Sequence, residues 1–182
     1  MSATRLLILG VLRITQPTHG YDIRRELESW HADHWANIAY GSIYHALAKM
    51  SEEGLIKPLD TDRMGNRPAK TTYVVTETGE KEFQRLLREY WWETKPVIDP
   101  FQVALTFMDA MPRDELLATL RHRANQLRLD LETLEWAAKL KTSPPGTPRH
   151  IAENMRLAAA HAEAELRWAE EATRKVERGK LP

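Results

Sequence analysis

The segment from residue 41 to residue 76 concentrates side chains whose chemistry suits contact with a nucleic acid. Hydroxyl, imidazole and amide groups can hydrogen-bond to base edges, and lysine and arginine can pair with phosphates. From Arg63 to Thr76 the chain carries no acidic residue, so the positive charge is unopposed in this run. The candidate DNA-binding residues are Ser42, Tyr44, His45, Lys49, Arg63, Asn66, Arg67 and Lys70.

A helix must position the first half of this set. Ile43, Leu47 and Met50 recur at i, i+4 and i+7, which predicts a helix with one buried face. His45 and Lys49 fall on the opposite face, which is the face that another molecule can approach. The spacing therefore predicts a recognition helix.

A β-hairpin with a basic tip is predicted directly after this helix. Glu53-Gly54 ends the helix, and strand-like runs over residues 55–59 and 71–76 bracket the tip. A polar helix face beside a short basic hairpin is typical of a winged helix-turn-helix. In that fold the helix enters the major groove and the hairpin, called the wing, grips the neighbouring backbone.

Each candidate side chain also has an ordinary structural interpretation. Tyr44 flanks the buried stripe, so it either reaches DNA or packs sideways onto the wing. His45 and Lys49 lie nearer the centre of the outward face, which favours groove contact over a solvated surface. Arg67 and Lys70 are either solvated charges or contacts to phosphate and the minor groove, and the acid-free run favours the contacts.

Two earlier segments complete the predicted unit. Residues 5–14 are almost wholly apolar, which predicts a first helix buried on most sides, whereas a membrane span needs about 20 such residues. After the breaker Gln16-Pro17, Thr18 is predicted to cap a second helix whose Ile23, Leu27 and Trp30 share one side. The order of elements is the one a winged helix requires.

Four motifs in this order give the chain a specific resemblance. They are His19-Gly20-Tyr21-Asp22-Ile23, Gly41-Ser42-Ile43-Tyr44 with Leu47, Glu53-Gly54-Leu55-Ile56, and Arg67-Pro68-x-Lys70-x-x-Tyr73 leading to Thr76-Glu77-x-Gly79. Together they resemble the PadR family of bacterial transcriptional regulators over roughly the first half of the chain. The resemblance implies a dimeric repressor, usually relieved by a small effector, with an α-helical C-terminal dimerisation region.

The second half of the chain is predicted to be helical. A helix from Glu77 to about Glu93 ends in Trp91-Trp92, and Asp99-Pro100 begins another, with Phe101, Leu105 and Met108 at i, i+4 and i+7. A long helix follows Pro112. Its partner is predicted to begin after residues 143–146, with Thr147 as its cap and Pro148 in its first turn.

The two long helices carry apolar stripes that specify lateral packing. The stripes are Leu116, Leu120, Ala124, Leu127, Leu131, Leu134 and Ala138 on the first helix, and Met155, Ala159, Ala162, Leu166, Ala169, Thr173 and Val176 on the second. Two helices cannot cover both stripes alone, so a symmetric homodimer is expected. The predicted fold class is mainly α with a small α+β element. Residues 1–93 form a winged helix-turn-helix domain with a linking helix, and residues 94–182 form an α-helical dimerisation domain.

A cluster of aromatic residues suggests an effector site. Tyr90, Trp91, Trp92 and Phe101 are the candidate effector-binding residues, because flat apolar ligands stack well on such rings. The alternative is that these rings belong to the ordinary core and the dimer interface. The expected ligand is a small aromatic compound.

Charge leaves a second function class open. The 26 basic and 26 acidic residues balance to a net charge of zero, so non-specific DNA affinity should be modest and strongly salt-dependent. A winged-helix protein-interaction adaptor without sequence-specific DNA binding is therefore the alternative to an effector-responsive repressor on a palindromic operator.

Other classes find little support in the sequence. It contains no cysteine, no phosphate-binding glycine loop and no catalytic constellation, so neither an enzyme nor a cofactor is expected. His31 and His34 lie one helical turn apart, but further metal ligands are lacking and no metal site is expected. Without a signal pattern or a long apolar run, the expected location is cytoplasmic.

Overall fold

A computed structural model describes residues 2–30, 32–36, 38–62, 70–94, 96, 98–142 and 149–182. The chain divides into two compact units, Met1–Pro96 and Val97–Pro182. Helices dominate both, and a three-stranded antiparallel sheet lies in the first. The predicted fold class is confirmed. None of the described helices is both long enough and apolar enough to pass through a bilayer.

The first unit has the element order of a winged helix. Its sheet has the strand order β1-β3-β2, with Thr18 opposite Tyr73 and Ile56 opposite Val75. A five-residue helix, α3, is an addition to the predicted order. The elements are α1 (Ser2–Thr15), β1 (Thr18–His19), α2 (Gly20–Ser29), α3 (Ala32–Ala36), α4 (Ser42–Glu52), β2 (Ile56–Asp62), β3 (Lys70–Val75) and α5 (Glu77–Trp92).

The prediction that Thr18 caps the second helix is wrong. Thr18 lies in β1, and the N-cap of α2 is His19, whose side chain makes no capping hydrogen bond. Pairing with β3 holds Thr18 extended, and the side-chain oxygen of Gln16 accepts a hydrogen bond from the Val75 amide at 2.8 Å. Thr18 is therefore part of the sheet and does not lie at the N-cap position of α2.

The core of the first unit forms where α1, α2 and α4 meet. The predicted stripe on α4 is confirmed, since Ile43 is 0%, Leu47 1% and Met50 1% exposed. Burying each such side chain stabilises the fold by roughly 1.5–3 kcal/mol, which fixes the rotation of α4 about its own axis. The other fully buried side chains of these helices are Ile8, Leu9, Val11, Leu12, Ile23 and Leu27.

Close backbone contacts connect the segment that follows α4 to the start of α5. Gly54 ends the recognition helix with a left-handed backbone, φ 70°, which favours glycine. The Thr76 hydroxyl donates to the Gly54 carbonyl at 2.7 Å and accepts from the Gly79 amide at 3.0 Å, so one side chain links both helices. Gly79 packs so closely that a Cβ there would lie 1.9 Å from the Leu55 carbonyl oxygen.

The second unit is an antiparallel pair of long helices with a short helix before it. The predicted start at Asp99-Pro100 is confirmed, because the Asp99 carboxylate accepts from the Phe101 amide at 2.9 Å. Its described elements are α6 (Pro100–Thr106), a 3₁₀ turn (Met108–Ala110), α7 (Arg113–Thr142), a second 3₁₀ turn (Arg149–Ala152) and α8 (Glu153–Glu177).

Two predicted boundaries in this unit are wrong. Met108 does not continue α6, because the chain leaves the α conformation at Phe107 and Met108 begins a 3₁₀ turn. Helix α8 begins at Glu153, after a 3₁₀ turn that packs on α7 and buries Ala152 completely. Thr147 and Pro148 lie outside the described residues.

Apolar contacts and ion pairs hold α7 against α8. The buried stripe residues Leu116, Leu120 and Val176 pack together with Ala172. Along the flanks of this contact, Arg121 pairs with Glu177, Arg123 with Glu165 and Arg128 with Glu170.

The junction between α4 and α5 predicts a large difference between two glycine substitutions. Gly79→Ala should lower the free energy of unfolding by about 2–3 kcal/mol, since its methyl group would meet the Leu55 backbone. Gly41→Ala, whose added Cβ would meet nothing within 4 Å, should change it by less than about 0.5 kcal/mol. Urea unfolding followed by circular dichroism measures both. Equal changes in the free energy of unfolding would show that the close approach of Gly79 to the Leu55 carbonyl does not determine stability.

Candidate nucleic-acid interface

The outward face of α4 presents the predicted polar residues of the recognition helix. Ser42 and His45 are exposed and Lys49 is half-buried, and their spacing of three and four residues places them on one face. The Ser42 hydroxyl donates to the Ala39 carbonyl at 2.7 Å, which leaves its oxygen free to accept a further hydrogen bond. This face offers hydroxyl, imidazole and ammonium groups together.

Tyr44 lies to one side of this face, where it lines a groove of about 490 Å³. The ring is 47% exposed and packs near Gly20, where a Cβ would lie 3.4 Å from it. The groove is thus bounded by α2 and by the wing strand β3 as well as by α4. The groove is lined by His19, Gly20, Tyr21, Asp22, Arg25, Tyr44, Thr71 and Tyr73.

Two further groups at this groove were not predicted as site residues. Tyr21, 62% exposed, and Arg25 lie one turn apart on α2. They belong to the side of the helix opposite Ile23 and Leu27, whose buried positions are visible in the sequence. That i, i+4 spacing is the signal that could have identified them.

Much of the positive charge on α2 is already paired. Arg24 donates to Glu28 at 2.7 Å, and this hydrogen bond raises the pKa of the guanidinium above its ordinary value. Arg25 lies 3.5 Å from the Asp22 carboxylate. Phosphate groups approaching α2 would therefore compete with carboxylates, which agrees with the modest non-specific affinity expected from zero net charge.

The antiparallel strands β2 and β3 form the described part of the predicted hairpin. Their pairing runs from Ile56 opposite Val75 to Asp62 opposite Lys70, with an irregularity between Leu59 and Asp62. The candidate wing residues Arg63, Asn66 and Arg67 lie outside the described residues, as does the side chain of Lys70. The structure describes the two strands that come before and after this segment in the chain, Ile56–Asp62 and Lys70–Val75.

An ion-pair cluster fixes the C-terminal end of the recognition helix. Arg5 of α1 lies 2.6 Å from Glu53, the C-cap of α4, and 3.3 Å from Glu82 of α5. Glu82 also pairs with Arg85 at 2.7 Å. The hydrogen bonds from Arg85 and Arg5 lower the pKa of Glu82 despite its partial burial.

The four candidate effector residues fall in different units. Tyr90, Trp91 and Trp92 end α5 in the first unit, where they are 40%, 82% and 86% exposed. Phe101 belongs to the second unit, where it lines a cavity of about 410 Å³ between α6 and α7. The cavity is lined by Phe101, Ala104, Leu105, Phe107, Met108, Met111, Leu116, Thr119, Leu120, His122, Arg123 and Gln126.

Phe101 is held in place by two partners. The guanidinium of Arg123 lies 3.5 Å from the centre of its ring, and Trp168 meets it edge-on with the ring centres 5.5 Å apart. Cation–π and edge-to-face contacts of this kind orient an aromatic ring. One wall of the cavity is therefore built around a fixed aromatic plane.

The histidine pair weighed as a metal site stays untested. His31 and the side chain of His34 lie outside the part of the chain that the structure describes. Among the described residues, no group of three or more His, Asp or Glu side chains is placed to hold a metal ion.

Comparisons with known proteins agree with this geometry. Residues 8–85 match the model of the transcriptional regulator PadR-like family. Bacillus subtilis PadR in complex with operator DNA is 22% identical, covers 97% of this chain and 98% of its own, and superposes with a TM-score of 0.73. The same PadR in complex with p-coumaric acid is 19% identical, with coverages of 96% and 99% and a TM-score of 0.76.

A third structure shows that the fold is also found in an activator. The Vibrio cholerae virulence activator AphA is 19% identical, covers 96% of this chain and 98% of its own, and has a TM-score of 0.69. A search of curated protein sequences gave no match. The segment from residue 8 to residue 85 belongs to the PadR-like family of transcriptional regulators, as the sequence motifs predict, and the chain shares the PadR fold.

The Arg5 cluster predicts how stability depends on pH. Because the pKa of Glu82 is lowered in the folded state, its ionised form stabilises the protein above the carboxyl's ordinary value of 4.5. This stabilisation is lost as the pH falls through the lower, folded-state pKa. Glu82→Gln should cost about 1 kcal/mol at neutral pH and make the decline towards acid pH shallower.

Urea unfolding over a series of pH values measures this effect. Glu77→Gln is the matched control, because it removes one nearly fully exposed carboxylate from the same helix. A pH profile of Glu82→Gln that parallels wild type would contradict a stabilising role for the ionised carboxylate.

Proposed function

We propose that this chain is a sequence-specific DNA-binding transcriptional regulator, a repressor that binds a palindromic operator as a homodimer and is released by a small effector. The exposed polar face of α4 beside the β2–β3 hairpin carries the proposal. Burial of Ile43, Leu47 and Met50 forces that face outward. The shared fold of PadR bound to operator DNA supports it.

The α4 residues are assigned to the major groove. Ser42, His45 and Lys49 are spaced to meet successive base edges from one helix face. Tyr44, which lies at the side of that face and lines the same groove as Tyr21, is assigned to the adjacent phosphate backbone. These contacts supply specificity that a surface of low net charge cannot obtain from phosphates alone.

The wing residues are assigned to the backbone and the minor groove. The predicted tip of the hairpin contains Arg63, Asn66, Arg67 and Lys70 without an intervening acid. Arginine and lysine at such a tip position a protein on its site more than they read its sequence.

Exposed apolar side chains on α7 support the homodimer. Leu129, Trp136 and Leu140 are 56%, 64% and 55% exposed, and their spacing of seven and four residues places them on one helix face. On α8, Leu157 is 59% exposed. If a second copy of the chain covers these side chains, their apolar surface is removed from water, and this burial stabilises the dimer.

The effector is proposed to be a small planar aromatic compound. Its proposed contacts are Tyr90, Trp91, Trp92 and Phe101. The complex of PadR with p-coumaric acid supports a small aromatic ligand. Exposed indole rings offer stacking surfaces, while Phe101 lines an existing cavity.

A protein-interaction adaptor is the second candidate. The zero net charge and the paired arginines of α2 favour it, since both weaken attraction to phosphate. Such an adaptor would bind another protein through the same helix face and wing.

A gel-shift titration against the DNA upstream of the protein's own gene separates the two. A regulator should give one saturable complex that resists competitor DNA and weakens steeply between about 50 and 200 mM salt. Only smeared complexes that competitor DNA removes would contradict the regulator and favour the adaptor. Transcription of a reporter from the same DNA should rise when the protein is deleted, and a fall would make it an activator.

The wing assignment predicts two weakened variants. Arg67→Ala and Lys70→Ala should each lower operator affinity and reduce the salt slope by about one counterion, because each loses a phosphate contact. Fluorescence anisotropy with labelled operator measures both quantities. Lys180→Ala removes an exposed charge from the second unit and should change neither. Unchanged slopes in both wing variants would remove the wing from the interface.

The exposed face of α7 predicts a variant that fails to dimerise. Leu129→Glu combined with Trp136→Glu should convert the full-length chain from dimer to monomer, because burying two carboxylates without partners costs several kcal/mol. Light scattering measures the mass in solution, and Thr106→Glu places a carboxylate on an exposed site of α6 as the control. A dimer that survives the double substitution would place the interface elsewhere.

A further inference from the structure

The cavity of the second unit has two chemically different walls. The α6 side and the following turn contribute mainly apolar groups, including Phe101, Leu105 and Met108. The α7 side contributes Thr119, His122, Arg123 and Gln126 at i, i+3, i+4 and i+7, which is one polar stripe of a helix. The volume of about 410 Å³ falls within the roughly 300–1,000 Å³ range of small-molecule sites. A flat ligand with one polar edge fits this arrangement.

Arg123 is the only residue with a permanent charge among the described residues that line the cavity. Its guanidinium stacks on Phe101 and pairs with the carboxylate of Glu165 on α8. Both side chains are 33% exposed, so water screens the pair only in part. The positive charge that would attract an anionic ligand is therefore already neutralised.

The remaining polar groups suit a neutral ligand. The Thr119 hydroxyl already donates to the Leu116 carbonyl at 2.9 Å. The side chains of His122 and Gln126 make no hydrogen bond to another residue in the described part of the chain. An amide or phenol on the ligand edge could bond to these two groups without displacing Glu165.

We propose that this cavity binds a neutral planar aromatic ligand and that the Arg123–Glu165 pair excludes carboxylates of the same shape. The proposal rests on the proposed effector-responsive function and specifies the charge of the ligand and its site. A carboxylate would face repulsion from Glu165 or would have to break its bond to Arg123, and either event costs affinity. Glu165 is thus a specificity-determining residue that acts through Arg123.

Naphthamide and naphthoate make a suitable pair of probes, since they match in shape and differ in charge. Isothermal titration calorimetry with the full-length protein should show that naphthamide binds at least about tenfold more tightly than naphthoate. The carboxylate of naphthoate must compete with Glu165 for Arg123, and it therefore loses a charge-assisted hydrogen bond. Equal affinities, or tighter binding of naphthoate, would overturn the proposal.

Glu165→Gln should reverse the preference. It leaves the Arg123 charge unopposed, so naphthoate binding should improve by about tenfold while naphthamide binding stays within about twofold. Glu170→Gln removes the carboxylate of the neighbouring Arg128 pair, which does not line this cavity, and should leave both affinities unchanged. If Glu165→Gln gave no gain for naphthoate, or Glu170→Gln gave the same gain, the pair would not set specificity.

Ala104→Trp tests the location independently of the ion pair. Ala104 is exposed on α6 and lines the cavity, so a tryptophan there should fill the space and abolish naphthamide binding. Its circular dichroism melt should match wild type. Retained binding in a folded Ala104→Trp chain would place the ligand elsewhere and overturn the proposal.

Gel-shift assays on the same samples separate this inference from the proposed function. Operator binding without any binding of naphthamide would overturn the ligand site and leave the regulator intact. Naphthamide binding with the Glu165→Gln reversal, in a chain that binds no DNA, would support the site and overturn the regulator. The affinity for naphthamide should not depend on protein concentration. If it fell as dimers formed, the cavity would be part of an interface between two copies, and the proposed ligand site would be overturned.

Discussion

The position of α4 relative to α5 depends on the carbonyl group of Leu55. Its oxygen accepts a hydrogen bond from the backbone amide of Thr76 at 3.1 Å, while the Thr76 hydroxyl donates to the neighbouring Gly54 carbonyl at 2.7 Å. The Leu55 oxygen lies so close to Gly79 that no side chain fits between them. Leu55, which lies just after the Glu53-Gly54 end of α4, is thereby held against the first turn of α5. A shift of one helix must move the other or break these contacts.

The rest of the candidate interface follows from this attachment. Since α4 is fixed at its end by the Leu55 junction and by Arg5, and fixed in rotation by its buried stripe, Ser42 and His45 must face outward. A rigid helix with few surplus charges is suited to reading base edges, because specificity from hydrogen bonds requires accurate placement.

Patterns of residues close in sequence predicted most elements, and contacts between distant residues explain the failures. The spacing of Ile43, Leu47 and Met50 was sufficient to predict α4, and Asp99-Pro100 was sufficient to predict the start of α6. Threonine is a residue type that often caps helices, but Thr18 pairs with Tyr73, far along the chain, and is therefore part of a strand. Propensity is a weak guide where a sheet edge competes for the same backbone groups.

The candidate sites also contain a part that local sequence patterns predict and a part that depends on contacts between distant residues. Ser42, Tyr44 and His45 could be identified because they lie on one predicted helix. The groove that joins Tyr44 to Tyr21, and the cavity that joins Phe101 to Arg123, depend on packing between elements that no local pattern specifies. The Arg123–Glu165 pair connects residues 42 positions apart, and its effect on the charge of the cavity becomes visible only in the folded chain.

Hydroxyl-radical footprinting of the full-length protein on the DNA upstream of its own gene tests the central claim most directly. A dimer of winged helices should protect two half-sites of related, inverted sequence, with centres about one helical turn, roughly 34 Å, or a whole multiple of it apart. Protection of the flanking minor groove by the wings should accompany each half-site. A single protected site without symmetry, or no protection at concentrations where the protein is dimeric, would contradict the account.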